Sequence, residues 1–148
     1  MQENTTPEKN KAVIRHLIEE VDKGNLAVVD ECFARDYIDH NPTPIRGLAP
    51  GIEGVKKAFN IFWAAFPDTR HVIEDLMAEG DKVVARYWAC GTHTGELMGI
   101  PPTGRQVTMT GIAIYRFAGG KIAERWVEQG RGVLDQLGMT APTGAQTH

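Results

Sequence analysis

The sequence predicts an α+β domain in which helices come first and an antiparallel sheet follows. Apolar residues recur at helical spacing only in the first half of the chain and alternate with polar ones in the second half. The 148 residues suit a single hydrophobic core, and there is no internal repeat or linker that would divide them. Sixteen glycines and eight prolines supply the turns that hairpins in a short chain require.

Thr6-Pro7-Glu8 reads as an N-cap, a proline at the first helical position and an acid that suits the helix dipole. Val13, Ile14, Leu17, Ile18 and Val21 then form one face, and Gly24 suits the left-handed stop. Asn25 is positioned to cap a short second helix through Leu26, Val29 and Phe33. Tyr37 to His40 reads as extended, and Asn41-Pro42-Thr43-Pro44 as a loop, because two prolines bar both helix and central strand. Pro50 opens a third helix with an apolar stripe of Ile52, Val55, Phe59, Phe62, Trp63 and Phe66, closed by Pro67-Asp68. The period then changes to two. Val72 to Met77, Lys82 to Cys90, Gln106 to Phe117 and Lys121 to Gln129 are predicted strands of a meander, with turns at Glu79-Gly80-Asp81 and Ala118-Gly119-Gly120. A long connection runs from Gly91 to Gly104, and a short helix is expected around Val133 to Leu137. Residues 1–6 and the tail 139–148 are expected to be disordered, leaving 7–138 as the domain.

Composition narrows the function. A net charge of -3 gives no basic footprint, so neither nucleic acid nor an anionic membrane is expected as a partner. The two cysteines, Cys32 and Cys90, form neither a disulfide framework nor a CxxC pair. Asp39, His40, His71 and His93 lack metal-ligand spacing, and no Walker loop, GxSxG or dinucleotide fingerprint occurs, so no metal or cofactor is expected. The first residues carry no signal-peptide pattern and no apolar run reaches membrane-spanning length, which gives the cytoplasm as the expected compartment.

Seven segments occur together in a familiar order: Tyr37-Ile38-Asp39-His40-Asn41-Pro42, Phe66-Pro67-Asp68, Gly80-Asp81 through Arg86, Gly91-Thr92-His93-Thr94-Gly95-Glu96, Gly99 through Gly104, Gly120 through Trp126, and Gln136-Leu137-Gly138. In this series the chain resembles the SnoaL-like polyketide cyclases over residues 8 to 138. The resemblance implies the cone-shaped α+β barrel of the nuclear transport factor 2-like (cystatin-like roll) class. It also implies a homodimer or homotetramer and an intramolecular aldol condensation on an aromatic polyketide ester, with no cofactor. The family's acid/base is an aspartate four residues after the tryptophan of the last strand. Counting from Trp126 lands on Gly130, and counting back from Gln136-Leu137-Gly138 lands on Gln129, so the expected acid is absent.

Strand parity offers Glu128 as a substitute base. With period two, Ile122, Glu124, Trp126, Glu128 and Gly130 share one face, which the resemblance places on the cavity side. Alternatively, Glu128 pairs with Arg86, which on a buried face would need Glu128 or Glu124 as its counter-ion. His93 is a second catalytic candidate, able to donate to an enolate oxygen, with a loop histidine bonded to backbone as the other reading. His40 would line the pocket entrance or fix the proline-rich loop. Trp63, Trp88, Trp126 and Tyr115, with Gln129, are candidate walls for a small hydrophobic or aromatic ligand, or else core packing. The same fold also admits isomerase, hydrolase or hydroxylase chemistry and a non-catalytic binding or oligomerisation module.

Overall fold

A computed structural model describes residues 5–40, 48–130 and 132–138. The predicted loop at Asn41 to Pro44 and the predicted tail lie outside the described residues, as do the first four positions of the predicted disordered N-terminus. The chain runs α1 (Thr5–Asp22), α2 (Val28–Cys32), β1 (Phe33–Asp39), α3 (Ile52–Ala65), β2 (Arg70–Glu79), β3 (Lys82–Thr92), β4 (Gln106–Ala118), β5 (Lys121–Gln129) and α4 (Val133–Gln136). α1 already includes Thr5 and Thr6, so the domain begins slightly before the predicted start.

α1 buries Ile14, Leu17 and Val21, at about 1.5–3 kcal/mol for each large apolar side chain. It stops as predicted: Gly24 takes φ +77°, its N–H reaches Val21 O at 2.9 Å, and Asn25 N–H reaches Glu20 O at 3.0 Å. Asn25 Oδ1 accepts from Ala27 N–H at 3.2 Å and leads into α2.

Two expectations are corrected here. Phe33 is not helical; it starts a fifth strand, with Phe33 and Tyr37 buried edge-to-face at 4.8 Å. The strand order is β1-β5-β4-β3-β2, and β1 runs parallel to β5, so the meander of four antiparallel strands is extended by a parallel edge. The second correction concerns parity in β5. Phe117 pairs with Ile122 while Arg116 pairs with Glu124, which makes Ala123 an extra residue in the ladder. Ile122 and Ala123 are both buried, and two successive inward side chains are possible only if the strand bulges. Beyond the bulge, Arg125 and Val127 continue the inner face, while Glu124, Trp126 and Glu128 are on the outer one.

α1 and α3 cover the inner face, giving the cone-shaped α+β arrangement. The long connection is built around the end of α3. Ala65 O accepts from both Thr94 and Gly95 N–H at 3.1 Å, and a Cβ at Gly95 would stand 1.9 Å from Ala64 O, so only glycine fits there. Leu97 is fully buried beneath this loop with Phe66, Val107 and Leu137.

Candidate active site

Between α1, α3 and the inner face lies a cavity of about 170 Å³. Its walls are apolar, with Leu17 and Ile18 from α1, Phe59 and Phe62 from α3, and Phe33 and Ile73 from the sheet. The sheet leaves this space because small inner residues alternate with large ones: Ala85 before Tyr87, and Gly111 and Ala113 before Tyr115. At Gly111 an added Cβ would stand 2.7 Å from the Tyr87 hydroxyl, so the tyrosine ring occupies the space a side chain would take.

One polar pole of the cavity is centred on Arg125. Its Nη2 donates to Asp39 Oδ2 at 3.0 Å, and its guanidinium stands beside the Tyr115 hydroxyl. Burial alone would disfavour the cation, but the attraction of Tyr115, Tyr37, Asp39 and Tyr87 outweighs it and holds the arginine pKa above its ordinary value. Burial raises the pKa of both Tyr37 and Tyr115, so both stay neutral. Arg125 Nε is fully buried and has no partner among the described residues. The side chain as a whole is 21% exposed and lines the cavity, so the cation suits this pole to a ligand oxygen even though Nε itself is enclosed by protein.

The opposite pole is His71 at the start of β2. Its Nδ1 lies 2.7 Å from Asp22 Oδ1, and its backbone N–H donates to Asp22 Oδ2 at 2.8 Å. Tyr87 stands between the poles, its ring centroid 6.5 Å from that of His71.

Of the residues singled out from sequence, Tyr115 lines this cavity. Gln129 shares the inner face through its pairing with Gly111, but it is exposed at the sheet's end. Trp63 stacks on Phe59 at 5.6 Å, one layer behind the wall. The expectation that Glu128 faces the cavity is corrected, because the face it shares with Trp126 is the outer one: it is exposed and lines an outer groove with Glu74, Arg86, Trp88 and Ile112. Arg86 pairs with Asp75 at 2.6 Å, not with Glu128 or Glu124. Trp88 donates to Glu74 at 2.7 Å and carries the Arg70 guanidinium 5.4 Å above its ring. Trp126 is also outside, stacked on His40 at 4.6 Å, and His40 N–H donates to Arg125 O at 2.9 Å. His93 is fully buried. Its Nδ1 accepts from Thr103 N–H at 3.1 Å, so it fastens the long connection and does not line the cavity. At Gly130, on the outer side, a Cβ would stand 2.6 Å from Thr110 Oγ1.

Arg125, Asp39, Tyr37, Tyr87, His71 and Asp22 were not singled out as site residues. The alternation of tyrosine with alanine and glycine in β3 and β4 was the available signal for the cavity. No spacing links Asp22 to His71, 49 positions apart. Among the described residues no group of three or more His, Cys, Asp or Glu side chains is arranged to hold a metal, and no helix is long and apolar enough to cross a membrane.

The family model of the SnoaL-like polyketide cyclases matches residues 11–139. Aklanonic acid methyl ester cyclase DauD of Streptomyces sp. (strain C5) is 30% identical over 139 residues, spanning 88% of this chain and 83% of the relative. Nogalonic acid methyl ester cyclase of Streptomyces nogalater is 33% identical over 122 residues, spanning 78% and 87%. Among solved structures, TsrD from Streptomyces laurentii superposes with a TM-score of 0.78 at 28% identity, covering 95% of this chain and all (100%) of that one. IdmH from Streptomyces antibioticus gives 0.74 at 33% identity, covering 88% and 99%.

Proposed function

The chain belongs to the SnoaL-like polyketide cyclase family, and from that premise we propose that it closes a ring on an aromatic polyketide-type ester by intramolecular aldol condensation inside the inner cavity. The ester cyclases among its relatives support the reaction class. The observation that carries the reading is the Arg125 guanidinium lining an otherwise apolar chamber. An aldol closure develops negative charge on oxygen twice, first in the enolate and then in the alkoxide. A fixed cation and neutral phenols in a water-poor space stabilise that charge without reorganising. The Tyr115 hydroxyl, beside the same guanidinium and lining the same cavity, can donate its O–H to the same oxygen. A 150 Å³ cavity holds about one benzene ring, so about 170 Å³ takes the reacting ring and the rest of the ester extends through the mouth.

The test is turnover of aromatic β-keto esters that carry a second carbonyl, with the cyclised product followed by mass spectrometry. Product is expected, and Tyr115→Phe should lower kcat by about 10²-fold. Saturable binding of every such ester with no product would replace the enzyme reading by a binding module.

We propose further that two copies pair through the outer face. Met77, Ile112 and Ile114 are 59%, 49% and 36% exposed there, and Arg86 and Glu128 flank Ile112 in register on either side. A two-fold axis along β4 would set Arg86 of one copy against Glu128 of the other, so the face is complementary to itself in charge. Sedimentation should give a dimer that Ile112→Lys with Ile114→Lys converts to a folded monomer. A wild type that is monomeric at tens of micromolar, on the order expected for weak interfaces, would end this assignment.

A further inference from the structure

We infer that His71 and Asp22 form the proton-transfer pair of the cavity. In this assignment His71 Nε2 removes the carbon-bound proton and Asp22 is the positioning residue that fixes the ring. The inference rests on the ring-closing reading above and supplies the base that the missing aspartate leaves unassigned.

The geometry begins with a tether. α1 ends at Asp22, two residues before the left-handed Gly24, and its carboxylate is used twice: Oδ2 accepts the His71 backbone N–H at 2.8 Å, and Oδ1 faces Nδ1 at 2.7 Å. A nitrogen that close to a carboxylate oxygen carries a proton. In the neutral ring the lone pair is therefore on Nε2. That nitrogen makes no hydrogen bond or ion pair with the described residues, and the ring is part of the cavity wall. The groups packed around it are Asp22 from α1, Tyr87 from β3, Ile73 from its own strand and the apolar Phe59 and Phe62 of α3, with Arg125 across the cavity on β5. Tyr87 is the single titratable neighbour from the sheet's centre, and no lysine or further carboxylate lines this end.

The step balances. The C–H bond between the ketone and ester carbonyls breaks, its electron pair passes into the enolate, and the proton goes to Nε2. The enolate carbon then attacks a further carbonyl carbon elsewhere in the same substrate, whose π pair becomes an alkoxide. The alkoxide takes the proton back from the imidazolium, so the ring closes with no net change in protons or electrons. Arg125 and Tyr115, at the other pole, hold the oxygen on which charge collects.

A purely structural histidine, stapling α1 to β2, would show the same two contacts, so the test must read chemistry. The probe is methyl benzoylacetate, an aromatic β-keto ester with no further carbonyl beyond its ketone and ester to attack, and the readout is enzyme-stimulated exchange of its C2 protons with D2O by NMR. Wild type should accelerate exchange. His71→Gln should lose about 10²-fold or more of that acceleration while keeping the thermal melt and the affinity for the ester. Asp22→Asn should lose about tenfold, with part of the imidazole population moving to the Nε2–H tautomer in ¹⁵N spectra; wild type should show Nδ1–H alone. If His71→Gln does not fold, the tautomer measurement on wild type still decides, because a protonated Nε2 in the neutral ring overturns the inference. Undiminished exchange in folded His71→Gln overturns it while leaving the ring-closing function intact. Wild type that neither exchanges this ester nor cyclises the larger ones overturns both.

Discussion

Arg125 and Trp126 are neighbours in β5 and stand on opposite faces of one sheet, as do Tyr87 and Arg86 in β3. Within the cavity on the inner face the polar groups are enclosed, and neutral phenols surround a single cation. On the outer face the polar groups are more numerous and mutually paired: Arg86 with Asp75 and Trp88 with Glu74 in the open, and Arg116 with Glu124 half-buried. The difference teaches that conspicuous residue types do not mark the site. Tryptophan and glutamate stood out along the strands, yet they are on the face where water and partners satisfy them. The face with the greater chemical potential is the one with fewer charges and lower dielectric.

The largest expected effect tests that contrast through the two arginine pairs. In the inner pair the Arg125 and Asp39 side chains are 21% and 24% exposed, and in the outer one Arg86 and Asp75 are each 52% exposed. Asp39→Ala leaves a buried guanidinium without its anion and should cost about 3 kcal/mol in urea denaturation. The double variant Asp39→Leu with Arg125→Met should recover most of that stability while removing activity. A single-variant loss under about 1 kcal/mol would make the inner pair no different from a surface one.

Next come two glycines, one per face. Gly111→Ala pushes a Cβ against the hydroxyl oxygen and two ring carbons of Tyr87, at 2.7 to 3.0 Å, and Tyr87 is part of the cavity wall. About 1–3 kcal/mol should be lost, with a fall in kcat. Gly130→Ala meets mainly Thr110 Oγ1 at 2.6 Å, a hydroxyl that can rotate on the open outer side. Its cost should be the smaller by melting temperature, and equal costs would remove the asymmetry between the faces.

Alkali should separate the faces as well, since all three tyrosines, Tyr37, Tyr87 and Tyr115, line the cavity. Burial raises the pKa of Tyr37 and Tyr115 above the ordinary value of 10.0. The unfolded chain therefore releases those protons first, and stability present below about pH 10 falls as pH rises beyond it. Phenolate absorbance should show neither Tyr37 nor Tyr115 titrating before the unfolding transition, as Tyr37→Phe and Tyr115→Phe difference titrations would report. Both ionising while the protein remains folded would mean an open, wet cavity.

Much of this fold was legible because it depends on local pattern. Gly24 stops α1, period two marks β2 to β5, and Phe66-Pro67-Asp68 ends α3, where Asp68 holds Thr92 by two hydrogen bonds of 2.7 and 2.8 Å. The site was less legible for a specific reason. Parity assigns residues to faces only relative to one another: Trp126 and Glu128 do share a face, but it is the outer one, and anchoring Trp126 on the cavity side carried Glu128 with it. The extra residue Ala123 separates Ile122 from that set. β1 was hidden for another reason: Phe33 to Asp39 has only two fully buried positions, Phe33 and Tyr37, four apart, a spacing that suits a helix as well as a strand. The His71–Asp22 contact depends on where α1 ends against β2, which no local pattern encodes.

The smallest expected effect completes the contrast. Arg86 binds Asp75 through both Nε and Nη2, at 2.7 and 2.6 Å, a geometry that would be strong if enclosed. Half of each side chain is in water, so the Coulomb gain is screened and partly offset by the entropy of holding two long groups. Arg86→Met should change stability by less than about 1 kcal/mol, with a difference that shrinks further in roughly 1 M salt, where the Debye length falls to about 3 Å. Ring closure should proceed at the wild-type rate, because nothing on this side of β3 reaches the cavity. A tenfold loss of kcat in a folded Arg86→Met protein would place chemistry on the outer groove beside Glu128 and reverse the roles of the two faces.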